Sequence, residues 1–332
     1  MKKVAWGILS TAKIGREKVI PAMQSAQCCD VQAIASRSLE RAQQTAVALG
    51  IPRAYGSYEE LFDDPAIEAI YNPLPNEQHV ALTLQAARAG KHLLCEKPMA
   101  LRADDIAALR EVAAKVHIME AFMVRFHPQW ERVRELVRAG DLGAVRSIQS
   151  YFSYFNRDTT NIRNHSHQGG GALYDIGCYA IVTARYLFEA EPLRVVALVD
   201  RDPDFGTDRV VSGLIDFGEG RRLDFTVSTQ VVPYQRVNVC GERARIEVRI
   251  PFNAPLGGAT DILIDDGTAL DGRAIRTETI SPCNMYGLQG DVFSRVVRGE
   301  IALPYGLDDA TRNMRVIDAL FASEKTSGWV AV

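Results

Sequence analysis

The sequence lacks the features that would tie it to nucleic acid, a membrane or an oxidising compartment. With a formal charge of −3 and a pI near 6.1, it has no basic surplus to offer a phosphate backbone. No apolar run reaches the roughly 18 residues of a spanning helix. The start, Met1-Lys2-Lys3-Val4-Ala5-Trp6-Gly7, reads as a first strand instead of a signal peptide. The cysteines Cys28, Cys29, Cys95, Cys178, Cys240 and Cys283 form no CxxC and no paired zinc spacing, as expected of reduced thiols in a cytoplasmic protein. His165 and His167 are the one close histidine pair, and no cysteine or acid stands at ligand spacing from them. No metal site is expected.

What is present is an ordinary globular composition spread over 332 residues, enough for about two domains. The first third alternates short apolar runs with helical patterns, the signature of a parallel sheet with crossover helices. Strands are predicted near Val4–Leu9, Val31–Ser36, Ala69–Asn72, His92–Glu96 and His117–Glu120. Helices are predicted over Leu39–Leu49, stopping at Gly50, over His79–Ala89, stopping at Gly90, and over the alanine-rich Asp104–Ala114. This reads as a doubly wound α/β Rossmann domain over residues 1–122. After a helix around Gln129–Ala139, longer alternating stretches take over: Val145–Phe155, Val195–Val199, Val211–Phe217, Arg222–Thr229, Val237–Cys240 and Ala244–Ile250. They predict an α+β domain over residues 123–332. It would hold a large, mostly antiparallel open sheet with helices on one face, including Leu173–Leu187 and Asp308–Ser323.

A dinucleotide fingerprint after the first strand would want glycine at Ser10, Ala12 and Gly15, and only the last is one. Serine and alanine are the smallest substitutes, so the turn Ser10-Thr11-Ala12-Lys13-Ile14 still lets a backbone approach a pyrophosphate. A plain strand-to-turn connection is the other reading. Pro21 requires the first helix to start late, near Lys18, or to be kinked. The second strand ends at Ser36-Arg37-Ser38 with Arg41 one turn on, where NAD enzymes usually carry an acid for the ribose. A guanidinium binds phosphate through two parallel hydrogen bonds, so the expected cofactor is NADP, with NAD as second choice; the alternative is a solvated basic helix start.

Two further segments carry a family resemblance. Ala69-Ile70-Tyr71-Asn72-Pro73-Leu74-Pro75-Asn76-Glu77-Gln78-His79 is followed by Gly90-Lys91-His92-Leu93-Leu94-Cys95-Glu96-Lys97-Pro98. Together with Gly169-Gly170-Gly171-Ala172-Leu173-Tyr174-Asp175-Ile176-Gly177-Cys178-Tyr179, they closely resemble the glucose–fructose oxidoreductase, inositol dehydrogenase and rhizopine-catabolism family. Met119-Glu120-Ala121-Phe122-Met123-Val124-Arg125-Phe126-His127-Pro128 is similar to the branch of dimeric dihydrodiol dehydrogenases and xylose-type sugar dehydrogenases, and the resemblance spans essentially the whole chain.

The resemblance implies a hydride transfer between NADP and the CH–OH group of a sugar or polyol. Cofactor contacts are implied at Ser10, Thr11, Ala12, Ile14, Ser36, Arg37, Arg41, Asn72, Pro73, Leu74, Asn76 and His79. Glu96 and Lys97 would lie beside the nicotinamide ribose and Arg125 near the cofactor, with the Lys97–Pro98 peptide often cis. Asp175 and Tyr179 would face the substrate, and pairs of subunits would form a homodimer or a dimer of dimers. Some relatives have histidine where this chain has Tyr179. The alternatives are a trans-dihydrodiol dehydrogenase and, in other classes, a non-catalytic NADP-binding regulator or an NAD-dependent glycosidase.

The chemistry accounts for these residue types. A tyrosine of ordinary pKa, about 10, is a weak base at neutral pH, and a nearby ammonium such as Lys97 favours its phenolate. Asp175 and Tyr179, four apart, share one helix face, and three glycines before them would let a substrate approach the helix start. Read alone, Lys97 is a surface lysine, Tyr179 a core aromatic and Asp175 a helix cap. Asn161 and Arg163, in the polar stretch before the glycines, are candidates to bind substrate hydroxyls or parts of a solvated loop.

Overall fold

The computed structural model describes residues 2–332. The chain folds into two units, Met1–Met123 with Asn284–Met314, and Val124–Cys283 with Arg315–Val332.

In the first unit, six strands form a wholly parallel sheet: β1 (Val4–Leu9), β2 (Cys29–Ala35), β3 (Arg53–Tyr55), β4 (Ala69–Asn72), β5 (His92–Cys95) and β6 (Ile118–Glu120). Their order is β3-β2-β1-β4-β5-β6, so the winding reverses between β1 and β4. Ligands of doubly wound sheets bind beyond the carboxyl ends of the strands at such a reversal. There stand the turn after Leu9 and the loop after Asn72. Buried Trp6, Ile8 and Leu9 fix β1 in the core. The helix Leu39–Leu49 has the predicted limits, with its first turn capped by Ser38 and its end closed by left-handed Gly50.

One helix differs from expectation, and another takes the interrupted one of its two expected forms. Over Asp104–Ala114 the chain instead makes a 3-10 helix, Ala103–Leu109, and a single α-helical turn, Arg110–Ala113. Its buried residues, Ala103, Ile106, Leu109 and Val112, recur every three positions, which is the 3-10 repeat. The first helix does not start at Lys18: a π turn, Gly15–Val19, leads into Ile20–Ser25. Pro21 has no N–H, and the widened turn before it absorbs the missing bond.

The segment Asn284–Met314 packs with the first unit although it follows eight of the nine strands of the second sheet in sequence. Its helix, Met285–Val297, is capped by Asn284. A side chain at Gly287 would come within 3.1 Å of the Ala22 carbonyl, and one at Gly290 within 2.9 Å of the Cys29 sulfur, so glycine permits the close packing. The indole of Trp6 donates to Ser294 Oγ at 3.0 Å, and its ring lies 5.6 Å from that of Phe293.

In the second unit, nine strands form one sheet: β7 (Val145–Phe155), β8 (Arg194–Arg201), β9 (Asp208–Asp216), β10 (Arg222–Ser228), β11 (Gln230–Gly241), β12 (Arg245–Val248), β13 (Thr260–Asp265), β14 (Arg276–Ile280) and β15 (Val330–Ala331), in the order β14-β13-β12-β11-β7-β10-β9-β8-β15. All neighbours are antiparallel except β7 and β10, whose register is parallel. The inner face is apolar, with Val211, Ile215, Leu223, Phe225 and Val227 buried. The wholly buried helix Cys178–Phe188 covers it. The opposite face mixes Ser212, Leu214, Asp224 and Thr226, half-buried, with Leu198, 78% exposed.

Candidate active site

On the first unit, the turn after β1 is built around Ser10, the one non-glycine residue of the fingerprint positions to adopt a left-handed conformation, with φ of 63°. Serine is disfavoured there, and its hydroxyl compensates by accepting the Ala12 N–H at 3.2 Å. Ala12 has no such backbone demand. At Gly15 a Cβ would meet nothing closer than 3.8 Å, so three equivalent glycines are not required by this turn.

At the end of β2, Ser36 is buried and its hydroxyl accepts the Ser38 N–H at 3.3 Å, while Ser38 caps the helix that follows. Arg37 and Arg41 are exposed beside that helix start and, among the described residues, form no ion pair. Two unpaired guanidiniums beside a helix N-terminus and small hydroxyls are a donor set that fits a phosphate.

The loop after β4 is held from within. Asn72 has no exposed surface: its amide donates to Thr83 Oγ1 at 3.2 Å and its oxygen accepts the Leu74 N–H at 3.2 Å. His79 is also wholly buried, its ring nitrogens 2.8 Å from the Pro98 carbonyl and 2.7 Å from that of Leu74. Burial pushes its pKa down, against the two carbonyls. Asn72 and His79, both expected among the cofactor-binding residues, brace two loops: the one with Pro73, Leu74 and Asn76, and the one beginning at Lys97. The Lys97–Pro98 peptide is cis. Glu96 Oε1 accepts the Tyr71 hydroxyl at 2.6 Å, a partner that the sequence reading missed. Glu120 receives the Met99 N–H at 2.6 Å, securing the other side of the turn.

On the second unit, Asp175 and Tyr179 lie on one continuous helix whose first turn, Leu173–Gly177, is π and whose remainder, Cys178–Phe188, is α. Asp175 Oδ2 accepts from the Tyr154 hydroxyl at 2.6 Å and from Arg163 Nε at 2.8 Å. Burial first, then the charge of Asp175, pushes the Tyr154 pKa up; Asp175 first, with Tyr154 and Tyr179 adding, raises that of Arg163. Arg163 is therefore within electrostatic reach of both tyrosines. Tyr179 is buried, with its ring 6.2 Å from Phe152 and 5.5 Å from Phe252. Phe252 belongs to the stretch Pro251–Gly258, which follows the strand β12. It is fixed there by Trp130, whose indole donates to the Pro251 carbonyl at 2.7 Å, and by Gln235, which accepts the Phe252 N–H at 2.9 Å.

Asn161 caps the short turn Ile162–Asn164, accepting the Arg163 N–H at 3.1 Å, so it orients Arg163. Arg125 is buried on the turn Met123–Phe126. A side chain at Gly170 would collide with the Arg163 carbonyl, and one at Gly171, with φ of 115°, with the Asp208 carboxylate. Both glycines admit the chain's own atoms. His165 and His167 stack at 5.7 Å, His165 bonding to Gln168 and the Thr159 carbonyl. Among the described residues, no three histidine, cysteine or acidic side chains gather as a metal requires, and no helix is long and apolar enough to cross a membrane.

Residues 4–126 match the oxidoreductase family with an NAD-binding Rossmann fold, and residues 130–247 match the GFO/IDH/MocA C-terminal domain. The chain belongs to the GFO/IDH/MocA oxidoreductase family. Among its relatives, D-xylose 1-dehydrogenase (NADP(+)) 2 of Haloferax volcanii is 40% identical over 98% of each chain. Trans-1,2-dihydrobenzene-1,2-diol dehydrogenase of Mus musculus is 36% identical over 67% of this chain and 68% of its own. The solved aldose-aldose oxidoreductase from Caulobacter crescentus, complexed with glycerol, superimposes with a TM-score of 0.91 at 26% identity, over 100% of both chains. As a member of this family, the protein is an NAD(P)-dependent dehydrogenase.

Proposed function

We propose that this enzyme uses NADP to oxidise a CH–OH group of an aldose or polyol, as its 40%-identical xylose dehydrogenase relative is named for doing. The observation that carries the sugar reading is the Tyr154–Asp175–Arg163 cluster, a set of paired donors and acceptors suited to adjacent hydroxyls. The unpaired Arg37 and Arg41 support NADP over NAD.

When bound, the nicotinamide supplies the hydride acceptor. Tyr179 takes the departing hydroxyl proton, assisted by the Lys97 ammonium, and Asp175 orients the neighbouring hydroxyl with Arg163. Ser10, Thr11, Ala12, Ile14, Asn72, Pro73, Leu74, Asn76, His79, Glu96 and Arg125 are assigned to holding the cofactor. The second reading, a trans-dihydrodiol dehydrogenase, is favoured by Phe152 and Phe252, whose rings flank Tyr179 and suit a flat carbocycle.

Two copies pair through the outer face of the nine-stranded sheet. That face carries a depression of about 620 Å³ lined by Tyr151, Leu198, Leu214 and Tyr234 among others, with Leu198 and Tyr234 exposed. The six cysteines stand as thiols outside any disulfide, which suits the cytoplasm.

The test is the nicotinamide absorbance band, followed with NADP or NAD on a panel of pentoses, hexoses, inositols and trans-diols. Steady reduction of NADP by one sugar class carries the proposal, and turnover with diols alone transfers it to the second reading. Glycoside cleavage without net reduction, or binding without turnover, rejects both.

A further inference from the structure

Asp208, the first residue of β9, is an acid the mechanism above does not use, and it is only 2% exposed. A carboxylate so buried costs much unless it has partners. Its Oδ2 accepts the backbone N–H of Leu173 at 2.7 Å. Leu173 opens the π turn that continues into Cys178–Phe188, so this is one of the first-turn N–H groups a helix leaves unsatisfied. Most helices meet that need with a side chain just before the first turn; Ala172 offers none. The acid arrives instead from a strand 35 residues away in sequence. Space for it exists only because position 171 is glycine: a Cβ there would overlap Asp208 Oδ1 and lie 2.7 Å from Cγ.

From this geometry we infer that Asp208 is a positioning residue for the reaction, clamping the first turn of the helix so that Asp175 and Tyr179 hold their placement. This rests on the roles proposed for those two residues. Asp175 lies two residues beyond the clamped amide and Tyr179 one further turn along, so a shift at Leu173 moves both. The clamp is also electrically coupled to the cluster, because the Asp208 charge helps raise the Tyr154 pKa. Burial lifts Asp208 itself to about 7, opposed by the Leu173 hydrogen bond and by Arg201, while Glu324 adds to the rise. Arg201 on β8 and Glu324 on the helix Leu307–Thr326 are paired with each other at 2.7 Å. Together with Tyr154 on β7, both act on Asp208 from neighbouring elements.

The test compares Asp208→Asn, which keeps an acceptor for Leu173 but no titrating charge, with Asp208→Ala, which keeps neither. Turnover, the pH profile of kcat and amide hydrogen exchange at Leu173 and Tyr174 are measured for both. Asp208→Ala should lose exchange protection at Leu173 and about tenfold or more in kcat, with the KM for NADP changed less than about twofold. Asp208→Asn should restore the protection and most of kcat, with a profile altered between about pH 6 and 8. A folded Asp208→Ala with wild-type exchange and kcat overturns the inference. Should Asp208→Ala fail to fold, an Asp208→Asn enzyme with an unaltered pH profile overturns it. Exchange is read without substrate, so a wrong role for Tyr179 leaves that result standing, whereas a wrong role for Asp208 removes it.

Discussion

The hydroxyl of Tyr154 and the guanidinium of Arg163 converge on one carboxylate oxygen, Oδ2 of Asp175, with the Tyr154 contact at 2.6 Å. Two donors on one oxygen orient the carboxylate, and on the proposed mechanism that sets the direction in which Asp175 would meet a substrate hydroxyl. Tyr154→Phe removes one donor and leaves the ring packing. It should raise the sugar KM or lower kcat by about tenfold and cost about 1 kcal/mol of stability. Initial rates and urea denaturation check both, and an unchanged KM and kcat would show that Arg163 alone orients the acid.

Tyr179→Phe should lower kcat by about a hundredfold or more, the usual scale for a positioned acid–base group, and leave NADP binding intact. Lys97→Met should fall as far, and the double variant little further, because the two act together. In the oxidation direction, the wild-type rate should rise with pH, since phenolate is the base. Near-normal turnover of Tyr179→Phe on a substrate whose chemistry limits the rate moves the proton to Lys97 or Asp175.

Arg37→Asp places a negative charge where the 2′-phosphate of NADP is expected. The NADP/NAD ratio of kcat/KM should drop by about a hundredfold, since repulsion is added to the loss of a partner. A ratio unchanged within error would remove the phosphate site from the end of β2.

Acid stability should depend on Glu68. Its carboxylate accepts two hydrogen bonds from Arg298, at 2.6 and 2.8 Å, and Arg298 chiefly holds its pKa at about 2, down from 4.5. A depressed carboxyl pKa stabilises the fold above the unfolded value, and that contribution disappears as pH falls from about 4.5 to about 2. Glu68→Gln should lose about 1 kcal/mol at neutral pH, the scale of a partly exposed pair, and show a flatter decline in this window. Thermal melts across the acid range measure it.

Leu198→Asp, on the outer face of the second sheet, should convert a dimer to monomer at micromolar concentration, as read by light scattering. Residue 198 is 78% exposed, so the fold itself should survive the change. A wild-type protein already monomeric under those conditions rules out this interface.

The legible parts of the sequence were those with strong local grammar. Leu39–Leu49 has both its cap and its glycine stop in the chain, and Val145–Phe155 is a long run that alternates over its middle part; both have the limits read from sequence. The short elements β3 and Tyr58–Asp63 carry too few residues to show a period. The parallel pairing of β7 with β10 is a matter of topology and leaves no trace in either strand. Within the candidate site, motif residues were readable one by one, but their partners were not. Tyr71, Tyr154, Asp208 and Phe252 reach Glu96, Asp175, Leu173 and Tyr179 across long stretches of chain, and nothing near them in sequence marks the contact.

Because the helix Met285–Val297 belongs with the parallel sheet, the cofactor half of this enzyme is not a contiguous piece of gene. A fragment ending at residue 123 would strip cover from Trp6, Cys29 and Glu68, whose partners Ser294 and Arg298 lie on the returning segment or just past its helix. Swapping cofactor halves between relatives therefore needs two grafts, one from each end of the chain. A circular permutant that links residue 332 back to residue 1 and opens near residue 124 would still leave the returning segment inserted within the second half.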